Sequence, residues 1–595
     1  MKLSQEQETF PRHVLGSKAR VLLASVFGPY AQDDEFGSRV INPMELYHNQ
    51  VTRLQGAFSL RMFHRSWGLM LIQANIGAPC TLLDFPSRER FIQELRASPY
   101  DIVGISSIPA NYLKVVEMCR LIRLHQPQAT IVVGGHVANM PALQEQTGAD
   151  HVVRGEGVRW FRRFLGEDEN RPIHHPRIYA SLGARMLGVN LRERPGDVAA
   201  ALIPSVGCPI GCNFCATSAM FGGKGKSIHF YETGDELFAV MQDLERDLKV
   251  RSFFVMDENF LLYRKRALRL LELMRQHGKA WELYIFSSAR VLSSYAIEDL
   301  VGLGVSWVWM GLEGENSQYG KLQGVETHQL VRTLQSHGIR VLGSSIIGLD
   351  EHTPDNLDKV IDFAVSHDTD FHQFMLYTPL AGTPLFKELD ARHALLDPQC
   401  RDAFDTHGQL RFAHRHPHIP AGMETQFLRK AFERDFTVNG PSFVRLARTL
   451  LLGYVRYRNA PDSRVRARFA YGTEDLRGPF AAGLWAAARW YAKDPVMRKM
   501  IEAVLHDIYK HLGWRARLAA WGFGPFVYRR LCKEQQDLRR GWTYEPQTYY
   551  DKTNQPALGQ QRMAAGLKDR GQAEKLAAQP ALAIPAVSGR QPVHS

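Results

Sequence analysis

Apolar positions in the first third of the chain come in short runs bounded by polar or glycine-rich turns: Val21–Phe27, Thr81–Phe85, Ile102–Ile105, Thr130–Val133 and His151–Val153. Between two of these runs, Leu113–His125 repeats its apolar residues at helical spacing. Short apolar runs alternating with amphipathic segments predict a parallel sheet with helices on its faces. The alternation returns further on. Strand runs there are Ser252–Met256, Glu282–Ser287, Trp307–Leu312, Val341–Ile347 and Phe371–Tyr377, with helices at Arg266–His277, Ser294–Leu303 and Asp355–Ser366. Such repetition predicts a full or partial β/α barrel, with its chemistry at the carboxyl ends of the strands.

The pattern divides the 595 residues into five stretches. An α/β domain occupies 17–160, and a charged, proline-containing linker occupies 161–199. A second α/β domain occupies 200–388. The stretch 389–547 reads as helical and is rich in Arg, Trp and Tyr. The stretch 548–595, rich in Gln, Ala, Gly and Pro, predicts a disordered tail. Segment 33–67 is long and polar for a first strand-to-helix connection and is a candidate substrate contact. No apolar run approaches the length of a membrane span. Residues 1–20 lack the apolar core of a secretory signal, which places the protein in the cytoplasm by default.

Charge changes the picture in one place. The formal net charge is +12, and from Arg429 to Arg540 there are 23 Lys+Arg against 10 Asp+Glu. This region alone carries the whole excess. Its arginines stand beside aromatics in Leu452–Arg458, Trp485–Tyr491 and Trp514–Trp521. The pattern fits a helical cap with Trp in the core and Arg in solvent. A second reading, which the pattern supports less, is helices lying on an anionic membrane surface. No recognisable nucleic-acid module accompanies the charge, and no nucleic-acid partner is expected.

The seven cysteines are odd in number, and Cys80, Cys119, Cys400 and Cys532 are scattered, which is no disulfide framework and fits a reducing compartment. The other three form Cys208-Pro-Ile-Gly-Cys212-Asn-Phe-Cys215, a C-x3-C-x2-C pattern directly after an apolar segment. Thiolates are the standard ligands of iron–sulfur clusters. A structural zinc wants four ligands, and the nearest histidine, His229, is well separated. Three thiolates leave one iron of a 4Fe-4S cube without a protein ligand. That iron could chelate the amino and carboxylate groups of S-adenosylmethionine.

With these residues in view, 200–388 resembles the radical S-adenosylmethionine superfamily, in the subgroup with an N-terminal cobalamin-binding domain. Further segments carry the likeness in order: Phe253–Phe260, Ser287-Ser-Ala-Arg290, Gly311-Leu-Glu-Gly314, Ile346-Ile-Gly-Leu349 and Tyr377–Pro384. The resemblance implies that Phe214, Asp257, Glu258, Asn259, Ser288, Arg290, Glu313 and Gly348 contact S-adenosylmethionine. Other readings stay open. Asp257 and Glu258 could form a solvated turn or a helix cap, and Glu313 could pair with Arg290 or Lys321.

Residues 17–160 resemble the subgroup's Rossmann-like cobalamin-binding domain through Gly104-Ile-Ser-Ser107, Val133-Gly-Gly-His136 and Arg154-Gly-Glu-Gly157. The residues so implied for cobalamin are Ser106, Ser107, Gly134, Gly135, His136, Glu156 and Gly157. The motif D-x-H-x-x-G, which supplies a histidine ligand to cobalt, occurs nowhere in the chain. Any cobalamin would therefore be held without that histidine. The alternative is an α/β domain that only packs against the barrel.

The fold class that follows is α/β: an N-terminal Rossmann-like domain of cobalamin-binding type, a partial β/α barrel of radical S-adenosylmethionine type and a helical C-terminal region. The implied cofactors are a 4Fe-4S cluster, S-adenosylmethionine and cobalamin. The implied activity is methylation of an unactivated carbon in a small-molecule or lipid substrate, with an electron donor such as flavodoxin or ferredoxin. Cyclisation, rearrangement, oxidation or carbon–carbon coupling are alternatives within the superfamily. A cobalamin sensor without catalysis is a third reading, and contact with a membrane periphery a further expectation.

Overall fold

The computed structural model describes residues 10–31, 34–37, 40–191, 193, 195–313, 322, 324–396 and 408–555. Cys400, Lys321 and most of the expected tail lie outside them.

The chain begins with β1 (Val21–Ala24) and then makes its long excursion, which carries β2 (Arg61–His64). The strands β3 (Cys80–Asp84), β4 (Ile102–Ser106), β5 (Thr130–Gly134) and β6 (His151–Val152) follow. They form a parallel sheet in the order β3-β1-β4-β5-β6. Its apolar runs reflect burial on both faces. Leu22, Val103, Ile131 and Val133 face helix Tyr112–His125, while Val21, Leu23, Ile102 and Val132 face helices Trp67–Gln73 and Gly157–Phe164. Strand order reverses between β1 and β4, and ligands of such sheets bind outside the carboxyl ends at that point.

The stretch expected as a linker contains β7 (Ser181–Met186) and β8 (Val189–Asn190). They join β2 in an antiparallel sheet. Charge and proline in 161–199 concealed these strands, because their partner lies more than a hundred residues upstream.

The second α/β unit starts with β9 (Ala200–Leu202) and a hairpin of β10 (Ser205–Val206) and β11 (Ile228–His229). It continues through β12 (Ser252–Val255), β13 (Glu282–Phe286), β14 (Val305–Gly311), β15 (Arg340–Ile347) and β16 (Phe371–Leu376). These six parallel strands run β9-β12-β13-β14-β15-β16, a partial barrel. Side chains alternate across the wall. Phe253, Val255, Leu283, Ile285, Val308 and Met310 pack outward under the helices. One of those helices, Gly234–Leu248, opens on a capping box between Thr233 and Glu236. Phe254, Tyr284, Phe286, Trp307 and Trp309 point inward.

Six longer helices between Met423 and Arg539 follow. The first of them bind the amino-terminal ends of the barrel strands. Buried Arg445 pairs with Asp435 at 2.8 Å and donates to Thr369 O at 2.7 Å, and Thr449 Oγ1 donates to Asp370 Oδ1 at 2.6 Å. Arg464 donates to Lys279 O at 3.1 Å. Part of the regional charge therefore sits on barrel carbonyls and not in solvent.

The start of the expected tail, 548–595, is ordered. A last strand, β17 (Tyr549–Thr553), pairs antiparallel with β3 at the edge of the first sheet. Its polar alternation is that of an edge strand with one wet face, which composition alone reads as tail. Just before it, the Glu545 carboxylate accepts from Tyr30 N at 3.0 Å and Ala31 N at 3.3 Å.

Candidate active site

The loop between β10 and β11 holds the clustered cysteines. Gly207 (φ +84°) and Gly211 (φ +70°) make its reversals. A Cβ at Gly207 would lie 2.7 Å from the Phe221 side chain, and one at Gly211 2.5 Å from that of Lys224, so only glycine closes the loop. Cys215 N donates to Cys212 O at 3.1 Å, and Gly225 N to Pro209 O at 2.8 Å. Cys215 also caps helix Ala216–Met220, its Sγ accepting from Ser218 N at 3.4 Å. Ser218 Oγ donates to Cys208 O at 2.7 Å.

Cys208, Cys212 and Cys215 are half-buried. Burial pushes the Cys208 thiol up to about 11, and the nearby Cys215, Cys212 and Glu258 push it the same way. The thiols are thus close to one another. Yet among the described residues no three donors converge on one metal position. Three thiolates on one loop suit an iron–sulfur cluster, in which each iron takes its own thiolate.

The barrel strands end around this loop. After β12, Asp257 is buried; its Oδ2 pairs with Arg266 and accepts from Ser205 Oγ at 2.6 Å, and its Oδ1 accepts from Asn259 N at 3.1 Å. This carboxylate holds the turn in place. Glu258 beside it is different. Burial raises its carboxyl to about 7, the Asp257 charge adds to this, and its Oε2 is buried with no partner. Asn259 Oδ1 accepts from Ser287 Oγ at 3.1 Å and Ser288 N at 3.2 Å, and its Nδ2 donates to Ser288 Oγ at 3.4 Å. Arg290 lies on the next helix with its side chain exposed. Glu313 is buried just past β14.

Gly348 has φ +85°, but its open side is filled: a Cβ there would sit 2.3 Å from the Phe412 ring. Glycine is needed for that ring, which no local pattern had singled out. Phe214 packs edge-on to Tyr377, ring centroids 6.1 Å apart. Asn213 Nδ2 donates to Tyr377 Oη at 2.9 Å, and Leu385 N to Asn213 O at 3.0 Å. The cysteine loop is thereby docked on the Tyr377–Pro384 turn. Asn213 and Tyr377 lie inside recognisable motifs, so this docking was within reach of sequence reading.

The N-terminal sheet offers mainly backbone. Gly135 has φ +80°, ψ −172°, a glycine-only conformation. Its Cβ would lie 2.6 Å from Ser107 O and 2.7 Å from Ser106 Oγ. The loops after β4 and β5 are joined by Ser107 N to Gly134 O (3.3 Å) and Val137 N to Ser107 O (3.1 Å). His136 keeps a buried Nδ1 without a partner, and burial lowers its pKa. Glu156 caps helix Gly157–Phe164, accepting from Val158 N and, at 2.9 Å, from Arg159 N. A Cβ at Gly157 would meet Ile72 at 2.8 Å. The strand-end glycines and the orphan His136 nitrogen fit a ligand laid across this edge; Glu156 and Gly157 serve the helix behind it.

The two sets of strand ends face each other. The turn His136–Asn139 packs against helix Ala216–Met220, next to Cys215. Gly155 lies beside Met220 O, and a Cβ at Gly382 would touch Asn139 at 3.0 Å. Within the barrel, a cavity of about 210 Å³ is lined by Phe254, Phe286, Trp309, Tyr47, Met62 and His64 among others. The excursion after β1 thus walls the open side of the partial barrel.

Comparison with known proteins agrees with this layout. The B12 binding domain family matches residues 66–165, and the Radical SAM superfamily matches residues 202–364. An uncharacterized methyltransferase of Pyrococcus horikoshii is 24% identical over 56% of this chain and 78% of its own length. The bacteriochlorophyllide d C-12(1)-methyltransferase of Chlorobaculum tepidum is 31% identical over 35% of this chain and 45% of its own. The anaerobic magnesium-protoporphyrin IX monomethyl ester cyclase of Cereibacter sphaeroides is 23% identical over 52% and 56%. A solved structure of the radical S-adenosylmethionine methyltransferase TsrM from Kitasatospora setae superposes with a TM-score of 0.47 at 15% identity, covering 77% of this chain and 99% of that one.

A Rossmann-type sheet and a partial barrel meeting at a cysteine loop, with these two domain matches, define a radical enzyme. The chain thus carries a B12 binding domain at residues 66–165 and a Radical SAM domain at residues 202–364, the domain pair of a cobalamin-binding radical S-adenosylmethionine subgroup. Its cofactors are a 4Fe-4S cluster, S-adenosylmethionine and cobalamin.

Proposed function

We propose that this enzyme methylates an unactivated carbon of an apolar small molecule, lipids included. The observation that carries the reading is the apposition of His136–Asn139 with helix Ala216–Met220, which supports two cofactor edges sharing one crevice. When bound, the cluster and S-adenosylmethionine supply the radical that removes a substrate hydrogen, and cobalamin supplies the methyl group.

In this reading the protein binds, orients and excludes water. Cys208, Cys212 and Cys215 hold the cluster. Phe214, Glu258, Asn259, Ser288, Glu313 and Gly348 shape the S-adenosylmethionine site, with Asp257 positioning its turn through Arg266. Arg290 is its solvent edge. Glu258, whose buried Oε2 has no partner among the described residues, suits the positively charged cofactor. Ser106, Ser107, Gly134, Gly135 and His136 cradle cobalamin, while Glu156 and Gly157 act through the supporting helix. The aromatic cavity favours an apolar substrate. The electron comes from a small donor such as flavodoxin or ferredoxin.

Among the described residues no helix is long and apolar enough to cross a membrane. Contact with a membrane periphery belongs to the same proposal, since lipid substrates are drawn from one. The test is incubation of the reconstituted holoenzyme with host extract and methyl-labelled S-adenosylmethionine. Label in a new product supports methylation. 5′-Deoxyadenosine with an unlabelled, altered product would replace it with the ring-forming reading that the cyclase likeness raises.

A further inference from the structure

The last long helix, Trp514–Arg539, is seated by one face only. Ala516, Ala520, Gly524 and Leu531 are buried. Gly524 lies so close to helix Ala481–Trp490 that a Cβ would be 2.5 Å from the Trp485 ring. Residues spaced three and four apart lie on one helical face. Trp514, Leu518 and Trp521 have that spacing, and they are 68%, 57% and 74% exposed. Phe523 and Phe526, further along the helix, are also exposed, at 65% and 55%. Scattered exposed apolar residues need no explanation, but a contiguous ridge does.

The charged residues of this helix as far as Lys533 have one sign. From Trp514 to Lys533 the chain has Arg515, Arg517, Arg529, Arg530 and Lys533, and no Asp or Glu. The Arg515 guanidinium lies 5.6 Å from the Trp514 ring centroid. A second copy of this face would bring like charges together, since a two-fold interface pairs a patch with itself. An anionic lipid surface meets both features. Indole rings settle at the headgroup level, and arginines reach the phosphates.

We propose that Trp514, Leu518 and Trp521, with Arg515 and Arg517, dock the enzyme on a bilayer surface carrying anionic lipid. This names the surface behind the membrane contact proposed above, but docking does not require methyl transfer. Protein inactive on every substrate tried would still bind.

The test uses the full-length protein and sedimentation with vesicles. One set is phosphatidylcholine alone; the other has an equal part of phosphatidylglycerol. Binding is expected to the mixed vesicles, to weaken with salt and to be faint on phosphatidylcholine. A Trp514→Ser/Trp521→Ser variant should lose roughly tenfold in partitioning, with circular dichroism and Tm unchanged because both side chains are exposed. Arg515→Glu/Arg517→Glu should abolish the anionic preference. Failure of the wild type to sediment with mixed vesicles would overturn the proposal, as would equal binding by a folded tryptophan variant. Dimers that dissociate on tryptophan replacement, without vesicle binding, would assign the face to a second copy instead.

Discussion

At the carboxyl ends of the barrel strands, Asp257, Asn259, Ser287 and Ser288 hold one another and Arg266 through side-chain hydrogen bonds. At the carboxyl ends of the N-terminal sheet, Ser107, Gly134 and Gly135 meet mainly through backbone. The first edge is made of functional groups and the second of shape. Removing atoms should therefore damage the barrel edge, and adding atoms should damage the other.

The largest effect is expected at the cysteine loop. Cys212→Ala should lose cluster iron, its visible absorbance and 5′-deoxyadenosine formation together, while corrinoid retention persists. Full iron content in that variant would break the assignment of the loop.

Next comes the buried Arg266–Asp257 pair. Arg266→Met leaves a carboxylate buried without its cation, which costs about 3–5 kcal/mol. Denaturant unfolding of the barrel should show the loss. A loss under about 1 kcal/mol would mean that Asp257 protonates or finds water, and that the turn is not held as described.

Gly135→Ala tests the shape-built edge. Its backbone conformation costs a non-glycine residue about 1–3 kcal/mol, and the new Cβ has no room beside Ser107 O. Corrinoid retained on purification should fall while cluster iron is unchanged. Equal loss of both would show that the two edges are not separable.

The smallest effect is expected at Glu545, far in sequence from both edges. Glu545→Gln weakens its bonds to Tyr30 and Ala31 N, about 0.5–1.5 kcal/mol. The change should appear in hydrogen exchange of the loop after β1, with the barrel unaffected.

Both parallel sheets were legible, β9 apart, because their strands are buried runs and their helices amphipathic, so local periodicity carries the information. The cysteine loop was legible because its ligands are local: spacing in sequence is spacing in space. Strands β2, β7, β8 and β17 were not. β2, β7 and β17 depend on distant partners, β8 follows from its hairpin with β7, and segments such as Tyr549–Thr553 have no apolar run of their own. Gly348 shows the same limit within a motif. Its glycine is visible in the sequence, but the reason for it, the Phe412 ring, comes from a segment beyond the barrel.

The exposed ridge at Trp514–Trp521 marks the boundary between the two kinds of information. Sequence determined that arginine stands beside tryptophan there on a helix, since helical spacing is set by local backbone geometry. Only tertiary structure decided which rings are covered. Trp485 lies against Gly524, whereas Trp514 and Trp521 meet no partner large enough to bury them. Burial depends on what distant segments bring to a surface. The same dependence put Arg445 inside, on Asp435 and Thr369 O, and left Arg515 and Arg517 facing outward.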